Sequence, residues 1–241
     1  MLTIILAESA LEPVPEELWD HPGIRRYSKK RGKHPSRIIL DRSYHHSAMK
    51  RLANNEKRGR PDIVHFCLLE ALNSPLNREG LLKIYVHTYN DYIIHITPHV
   101  RLPRNQNRFI GLMEQLFEYG KVPIEGSPLL ILEKMTLRNL LNTIKPSSLI
   151  AFTRMGQPLT LEETLSEIDE ASNLATIIGG FPSGHFSSET LSLAHRSICI
   201  DPETLEAWTV TSRLVYEYER RILLPSKRLS KIKSTSKSRL Q

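Results

Sequence analysis

The chain has 241 residues, 40% hydrophobic and 24% charged, with a formal net charge of +7. That length buries a full hydrophobic core, as one large domain or two small ones, and the composition is ordinary for a globular protein. No apolar run approaches the roughly eighteen residues that a membrane-spanning helix needs, which excludes that class. The charge is uneven. Residues 225–241 hold six Lys/Arg and no Asp/Glu, residues 20–60 hold 13 basic against 3 acidic residues, and residues 146–224 hold 5 basic against 11 acidic. Such asymmetry points to a nucleic acid or another anionic surface as partner.

In chain order, "LTIILAE" (2–8) reads as a first strand. It lacks the basic leader and small-residue cleavage site of a signal peptide. "DHPGIRRYSKKRGKHP" (20–35) is polar and basic, an exposed excursion, and "SRIILD" (36–41) reads as a second strand. Val64, Cys67, Leu68, Ala71 and Leu72 make one helical stripe over 62–73. Strands 81–88 and 92–98 flank the turn "NDY" and form a hairpin. A helix over 107–119 carries Phe109, Leu112, Met113, Leu116 and Phe117 and ends at Gly120, where a C-cap glycine belongs. Helices are expected at 127–144, 159–171 and 203–223, and strands at 147–153, 174–181 and 196–201. Asp201-Pro202-Glu203 supplies an N-cap, an N1 proline and an acidic first turn for the last helix. The Ser/Lys-rich tail 225–241 is expected to be disordered, leaving 1–224 as a single domain. Alternating strands and helices give an α/β class with a mainly parallel sheet, helices on both faces and an added antiparallel hairpin.

Two stretches carry chemistry. "RLPRNQNRF" (101–109) gathers three arginines without a carboxylate; Arg104 and Arg108 share a face at a helix entrance if that helix starts near Asn105. "IIGGFPSGHF" (177–186) spaces Gly179 and Gly184 as a phosphate loop does, but His185 and Phe186 stand where Lys and Ser/Thr are needed. The loop is therefore either a tight strand-to-helix turn or a place where backbone approaches a ligand closely. The strand ends "IAFT", "IIGG" and "ICIDPETLEAW" converge outside the carboxyl edge of a parallel sheet, where ligands bind. Their polar, backbone-rich loops without a cationic cradle fit adenosine with a sulfonium better than ATP. Two cysteines, Cys67 and Cys199, sit in apolar runs and fit a reducing compartment. The ten histidines make no zincin pattern, so no metal is expected.

"RPDIVHFCLLEALNSPLNREGLLKIYVHT" (60–88) and "ITPHVRLPRNQNRFIGLMEQL" (96–116) resemble the nucleolar-essential-protein family, and the likeness covers most of 1–224. These are SPOUT-class methyltransferases of small-subunit ribosomal RNA. The resemblance implies a C-terminal trefoil knot, a homodimer and S-adenosylmethionine as donor. It implies ring nitrogen 1 of a pseudouridine in small-subunit rRNA as acceptor. Ribosomal assembly proteins would be further partners, and an rRNA-binding assembly factor without catalysis is the alternative. The eukaryotic N-terminal extension is missing, which suggests an archaeal member in the cytoplasm; a nucleolar location would follow only for a eukaryotic source.

By the same likeness, Arg60, Arg101, Arg104 and Arg108 match RNA-gripping arginines, consistent with guanidinium forks on phosphate or stacked on splayed bases. Asp62, with Arg60, stands at the catalytic position. It orients Arg60, accepts the target proton, or is only an N-cap; orientation is favoured because a carboxylate held by arginines is a weak base. Donor-binding positions carried over are Ile150, Thr153, Gly179, Gly184, Ile200, Asp201, Pro202, Glu203, Thr204 and Leu205. Trp208, Thr209 and Ser212 line the far side, with helix core as the alternative for Trp208.

Overall fold

The first strand decides the architecture. Leu2, Ile4 and Leu6 enter one hydrophobic core, while Ile5 and Ala7 enter another. A strand buried on both faces reads as a continuous apolar run and belongs in the middle of a covered sheet. A computed structural model describes residues 1–169 and 172–238, with side chains to residue 232. In chain order the elements are β1 (Leu2–Ser9), α1 (Pro22–Arg31), α2 (Arg42–Met49), α3 (Pro61–Asn73), α4 (Pro75–Arg78), β2 (Leu82–Thr88), β3 (Tyr92–Ile96), α5 (Gln106–Tyr119) and β4 (Lys121–Val122). There follow β5 (Leu130–Lys134), α6 (Leu137–Ile144), β6 (Ser148–Pro158), α7 (Leu161–Ser166), β7 (Leu174–Gly179), α8 (Ser188–Leu193), β8 (Arg196–Cys199), α9 (Ala207–Arg221) and α10 (Leu224–Ser238).

Among the described residues, one sheet of eight strands runs β4-β5-β3-β2-β1-β7-β6-β8. From β2 to β8 neighbouring strands are parallel; β3, β5 and β4 add antiparallel pairs at the other end. The expected α/β class with its hairpin is therefore present. α3, α5, α7 and α9 cover one face through Ile63, Leu68, Phe109, Leu165 and Leu214. α6 covers the other through Leu137, Leu140 and Leu141, with α8 beside it. A third cluster, Val14, Leu18, Ile24, Ile38, Leu40, Ala48, Met49 and Leu52, binds α1 and α2 to the loop after β1. No helix among the described residues is long and apolar enough to cross a membrane.

Several expected elements differ. Residues 36–41 are not a sheet strand: they make one bridge, Ile39 to Pro13, and Ile38 and Leu40 fill the third cluster. Pro13 and Pro15 have no N–H to extend a ladder. The helix expected over 127–144 is β5 followed by α6. Leu130 faces the core as β5 pairs β3, and Thr136 caps α6 by accepting from Asn139 N at 3.2 Å. The helix expected from Asp201 starts at Ala207, because Asp201 Oδ1 instead accepts from Glu203 N at 3.0 Å and closes a turn. The helix over 159–171 is Leu161–Ser166, with residues 170–171 outside the described residues. The basic excursion contains α1, with Ile24 buried and Arg31 and Lys33 paired to the buried Glu114 at 2.9 and 2.6 Å. Where a disordered tail was expected, the structure has α10, and residues 239–241 lie outside the described residues. Lysine is a good helix former, and Arg228 bonds Glu79 at 2.5 Å.

Candidate functional site

A cavity of about 270 Å³ opens at the carboxyl ends of β7, β6 and β8, against the start of α9. Its first wall is the turn after β7. Gly180 N donates to Ala7 O at 2.9 Å, and Gly180 O accepts from Ala10 N at 2.8 Å. A Cβ on Gly180 would stand 2.1 Å from Ser9 Oγ, so the turn accepts only glycine there. Gly184 adopts φ +92, a conformation L side chains avoid. Phe181 and Phe186 meet edge to face at 5.4 Å beneath it.

The loop is held from outside by the basic segment before α3. Ser183 Oγ donates to Glu56 O at 3.0 Å, and Lys57 Nζ lies 4.7 Å over the Phe181 ring. Glu8, in a left-handed conformation at φ 50, joins both sides. It accepts from Lys57 Nζ and from Ser187 N, each at 2.8 Å. Burial alone would raise its pKa, but these bonds outweigh burial and hold the carboxyl below its ordinary value. The second wall is β6, whose Phe152 and Gln157 both pair with Ile198 of β8. Gly156 lies so close to β8 that a Cβ would meet Ile198 N at 2.5 Å. The third wall is the 200–206 loop, where Cys199 Sγ donates to Asp201 O at 3.1 Å.

Thr153, Gly179, Gly184, Ile200, Asp201, Glu203, Thr204 and Leu205 all line this cavity. Ile150 does not: it is 0% exposed near the amino end of β6, away from the cavity, and paired with Thr176 and Arg196. Pro202 is exposed and absent from the wall, because the Asp201 turn swings it outward. Trp208, Thr209 and Ser212 are also absent; Trp208 packs edge-on against Phe66 at 5.3 Å. Phe152, Arg154, Ile178, Phe181, Glu206, Ala207 and Val210 line the cavity without having been singled out. Arg154, the one Lys/Arg side chain in the wall, follows the strand end "IAFT" directly, which was the available signal.

The arginines form a second surface next to the first. Arg60 occupies the N-cap position of α3 and Asp62 its first turn, so Asp62 is not the cap. The Asp62 carboxylate accepts from Arg60 Nε at 2.8 and 3.1 Å and from Nη2 at 2.7 Å. These bonds first of all raise the Arg60 pKa against burial, and the charges of Asp62, Glu206 and Asp41 add to them. Glu206 is both the N-cap residue of α9 and part of the cavity wall, which places Arg60 within electrostatic reach of the cavity. Helix α5 does start after Asn105, whose Oδ1 accepts from Arg108 N at 3.1 Å, and Gly120 ends it at φ 74. Arg101, Arg104 and Arg108 are exposed, and their side chains make no hydrogen bond or ion pair with the described residues. Their segment is pinned to α3 by buried His65, whose Nε2 meets Pro103 O at 2.7 Å and whose Nδ1 meets Gln106 Oε1 at 2.6 Å. His65 also stacks on Phe109 at 4.2 Å. Sequence reasoning passed over it, since a lone histidine on an apolar helix face looks like ordinary core.

The family model for the EMG1/NEP1 methyltransferase matches residues 4–219. The chain belongs to that family. It is 47% identical over 215 residues to the ribosomal RNA small subunit methyltransferase Nep1 of Staphylothermus marinus, covering 89% of this chain and 93% of that one. Against Nep1 of Thermococcus onnurineus the identity is 44% over 223 residues, 92% of this chain and 100% of the relative. The fold is similar to crystalline Archaeoglobus fulgidus Nep1 bound to S-adenosylhomocysteine, with TM-score 0.81 and 39% identity over 90% of this chain and 97% of the other. The EMG1/NEP1 match takes in the glycine turn, the 200–206 loop and all four arginines, and it stops before α10.

Proposed function

We propose that this EMG1/NEP1-family chain transfers a methyl group from S-adenosylmethionine to ring nitrogen 1 of a pseudouridine in small-subunit ribosomal RNA. It acts as a homodimer in small-subunit biogenesis, in the cytoplasm. The observation that carries the reading is the adjacency of a nearly cation-free, backbone-lined cavity and an Asp62-held arginine, linked by Glu206. Ile178, Ile198, Leu205 and Val210 give the cavity apolar walls that suit a purine. Asp201, Glu203 and Glu206 suit the cationic end of the donor, while a polyphosphate would lack partners beyond Arg154. The named Nep1 relatives and the S-adenosylhomocysteine bound in the archaeal structure support the donor and the substrate class.

When bound, S-adenosylmethionine supplies a methyl on a sulfonium leaving group. The chain's own contribution is position and field. Arg101, Arg104 and Arg108 hold phosphates or stack on splayed bases, which fixes the loop. Asp62 fixes the Arg60 fork, whose positive charge favours the ring once its N1 proton has left to solvent. Burial among cavity walls keeps reacting groups aligned, the larger part of an in-line displacement.

The test uses purified protein, labelled S-adenosylmethionine and two matched small-subunit rRNA hairpins, one with pseudouridine at the loop position and one with uridine. Transfer to the pseudouridine hairpin alone is the expected result, since the free ring N1 of pseudouridine is the sugar-bonded atom in uridine. Tight binding of both hairpins with transfer to neither would make the chain an rRNA-binding assembly factor.

A further inference from the structure

The basic excursion commits much of its charge to the fold, and the remainder faces water. Arg31 and Lys33 hold Glu114, Arg37 reaches Glu118 at 3.1 Å, and Arg25 meets Asp20 at 2.6 Å. Arg26 and Lys30 of α1 are exposed, and neither has a hydrogen bond or ion pair with the described residues. They stand four apart on the helix, so they share a face and repel each other. Arg104 and Arg108 have the same spacing.

An aromatic surface adjoins that face. Tyr27, one turn before Lys30, stacks on Tyr44 of α2 with ring centroids 5.0 Å apart and planes at 29°. The stack is braced from the protein side. His45 meets Tyr27 edge-on at 4.9 Å, and Arg31, itself held by Glu114, donates from Nη1 to Tyr27 Oη at 3.2 Å. Tyr44 is different. It is 56% exposed, and its hydroxyl has no hydrogen bond with the described residues. Tyr27 takes one of its ring faces, and no described cation lies over it.

The stack stands between the two groups of site arginines. At the start of α2, Arg42 N donates to Gly59 O at 2.9 Å, the residue just before Arg60, and the charge of Asp41 reaches Arg60. Tyr44 is in the first turn of that helix, about 3 Å along the axis from Arg42. On the other side, Glu114 ties α1 to α5, the helix whose first turn carries Arg108. A braced ring beside unpaired cations is what single-stranded nucleic acid binds: a base stacks on the ring and phosphates meet the cations. Loose cations alone would serve an acidic protein or a lipid surface, without a ring held in advance.

We propose that Tyr44, stacked on Tyr27, is a platform for an unpaired base flanking the target pseudouridine, with Arg26 and Lys30 on the adjoining phosphates. The identity of the RNA rests on the rRNA-methyltransferase reading, but stacking and its salt signature do not depend on methyl transfer.

The experiment uses the full chain and the pseudouridine hairpin, with 4-thiouridine placed in turn at each unpaired position beside the target. Three variants are compared with the parent: Tyr44→Ala, Tyr44→Phe, and Arg26→Gln combined with Lys30→Gln. Losing one base–aromatic stack weakens binding about fivefold or more, at every salt concentration. Tyr44→Ala is expected to show that loss with an unchanged slope of log affinity against log salt. Tyr44→Phe keeps the ring and should stay within about twofold of the parent. The double glutamine variant should lower the slope by about 1.4, two single-strand phosphate contacts at about 0.7 each. Ultraviolet light should cross-link one flanking thio-base to Tyr44. Parent-like affinity in Tyr44→Ala, an equal loss in Tyr44→Phe, or cross-links that map away from α1 and α2 each overturn the proposal. A changed oligomeric state in Tyr44→Ala with RNA binding intact also overturns it, and makes the ring a protein contact. If the parent shows the stacking signature but methylates no hairpin, the platform stands and the enzymatic reading falls. Methyl transfer by Tyr44→Ala at parent affinity leaves the enzyme and removes the platform.

Discussion

Replacing Glu12 by glutamine should be among the most damaging single changes outside the cores. Glu12 and Arg58 have side chains only 1% and 6% exposed. They meet through two parallel bonds, Nε to Oε1 and Nη2 to Oε2, both 2.7 Å. Asn90 Nδ2 adds a third donor to Oε2 at 2.6 Å, and the guanidinium lies 4.7 Å over the Tyr89 ring. Glutamine keeps the volume but leaves a buried guanidinium facing an amide. Breaking one partner of such a pair costs about 3–5 kcal/mol. At about 2–4 °C per kcal/mol for a chain of this size, the melting point should fall by roughly 6–20 °C. Urea unfolding followed by circular dichroism measures the loss directly. Added sodium chloride should not change the difference, because the pair is out of reach of screening ions. The double change Glu12→Met with Arg58→Met removes both charges and should recover most of the stability. A single-variant loss below about 1 kcal/mol, or a double variant no better than the single, would refute the reasoning.

His45 is 2% exposed, and burial drops its pKa from 6.5 to about 4, with Asp41 opposing and Arg31 assisting. A lowered pKa means the folded state refuses a proton the unfolded chain takes. Stability is therefore full above pH 6.5 and lost as pH falls through about 4, by about 3 kcal/mol in all. His45→Gln should flatten that part of the stability profile, and parallel profiles for variant and parent would contradict it. Arg104→Ala and Arg108→Ala should each reduce the salt slope of RNA binding by about 0.7–0.9 while leaving the melting point unchanged, as neither side chain is paired among the described residues. Asp62→Asn should cut turnover tenfold or more with donor affinity intact; the Arg60 and Asp62 side chains are 36% and 28% exposed, so stability should change by less than about 1 kcal/mol. Equal turnover in Asp62→Asn, measured with saturating RNA, would reduce this residue to a helix-start carboxylate.

What the sequence disclosed depended on how local the signal was. Asn105 and Gly120 bracket a helix through their own side-chain and backbone chemistry, and both stand where expected. β1 announces itself by the apolar run Ile4 to Ala7 with Leu2 before it. Over 127–144 the same reasoning failed. Leu130, Leu137, Leu140 and Leu141 fit a helical period closely enough to hide a strand, a turn and a cap at Thr136. The cavity was legible as strand ends, but Ile150 and Pro202 show its limit. Depth along a strand and the swing of a turn are fixed by neighbours far away in sequence. The same holds for Arg58. It sits in a strongly basic stretch, yet Glu12, 46 positions earlier, takes its charge into the interior.

The place of β1 in the sheet also shapes how the molecule comes into being. One edge of this strand pairs with β2, and the other pairs Leu2 with Leu174 and Ala7 with Gly179. At a synthesis rate of about 5–20 residues per second, that second edge waits on the order of 10–35 s for its neighbour. During that interval the most apolar strand of the chain is a half-finished ladder, able to recruit any passing strand. The nascent protein is a non-local assembly whose first piece is completed almost last, so its yield in the cell should depend on shielding while it is being made as much as on the stability of the finished fold.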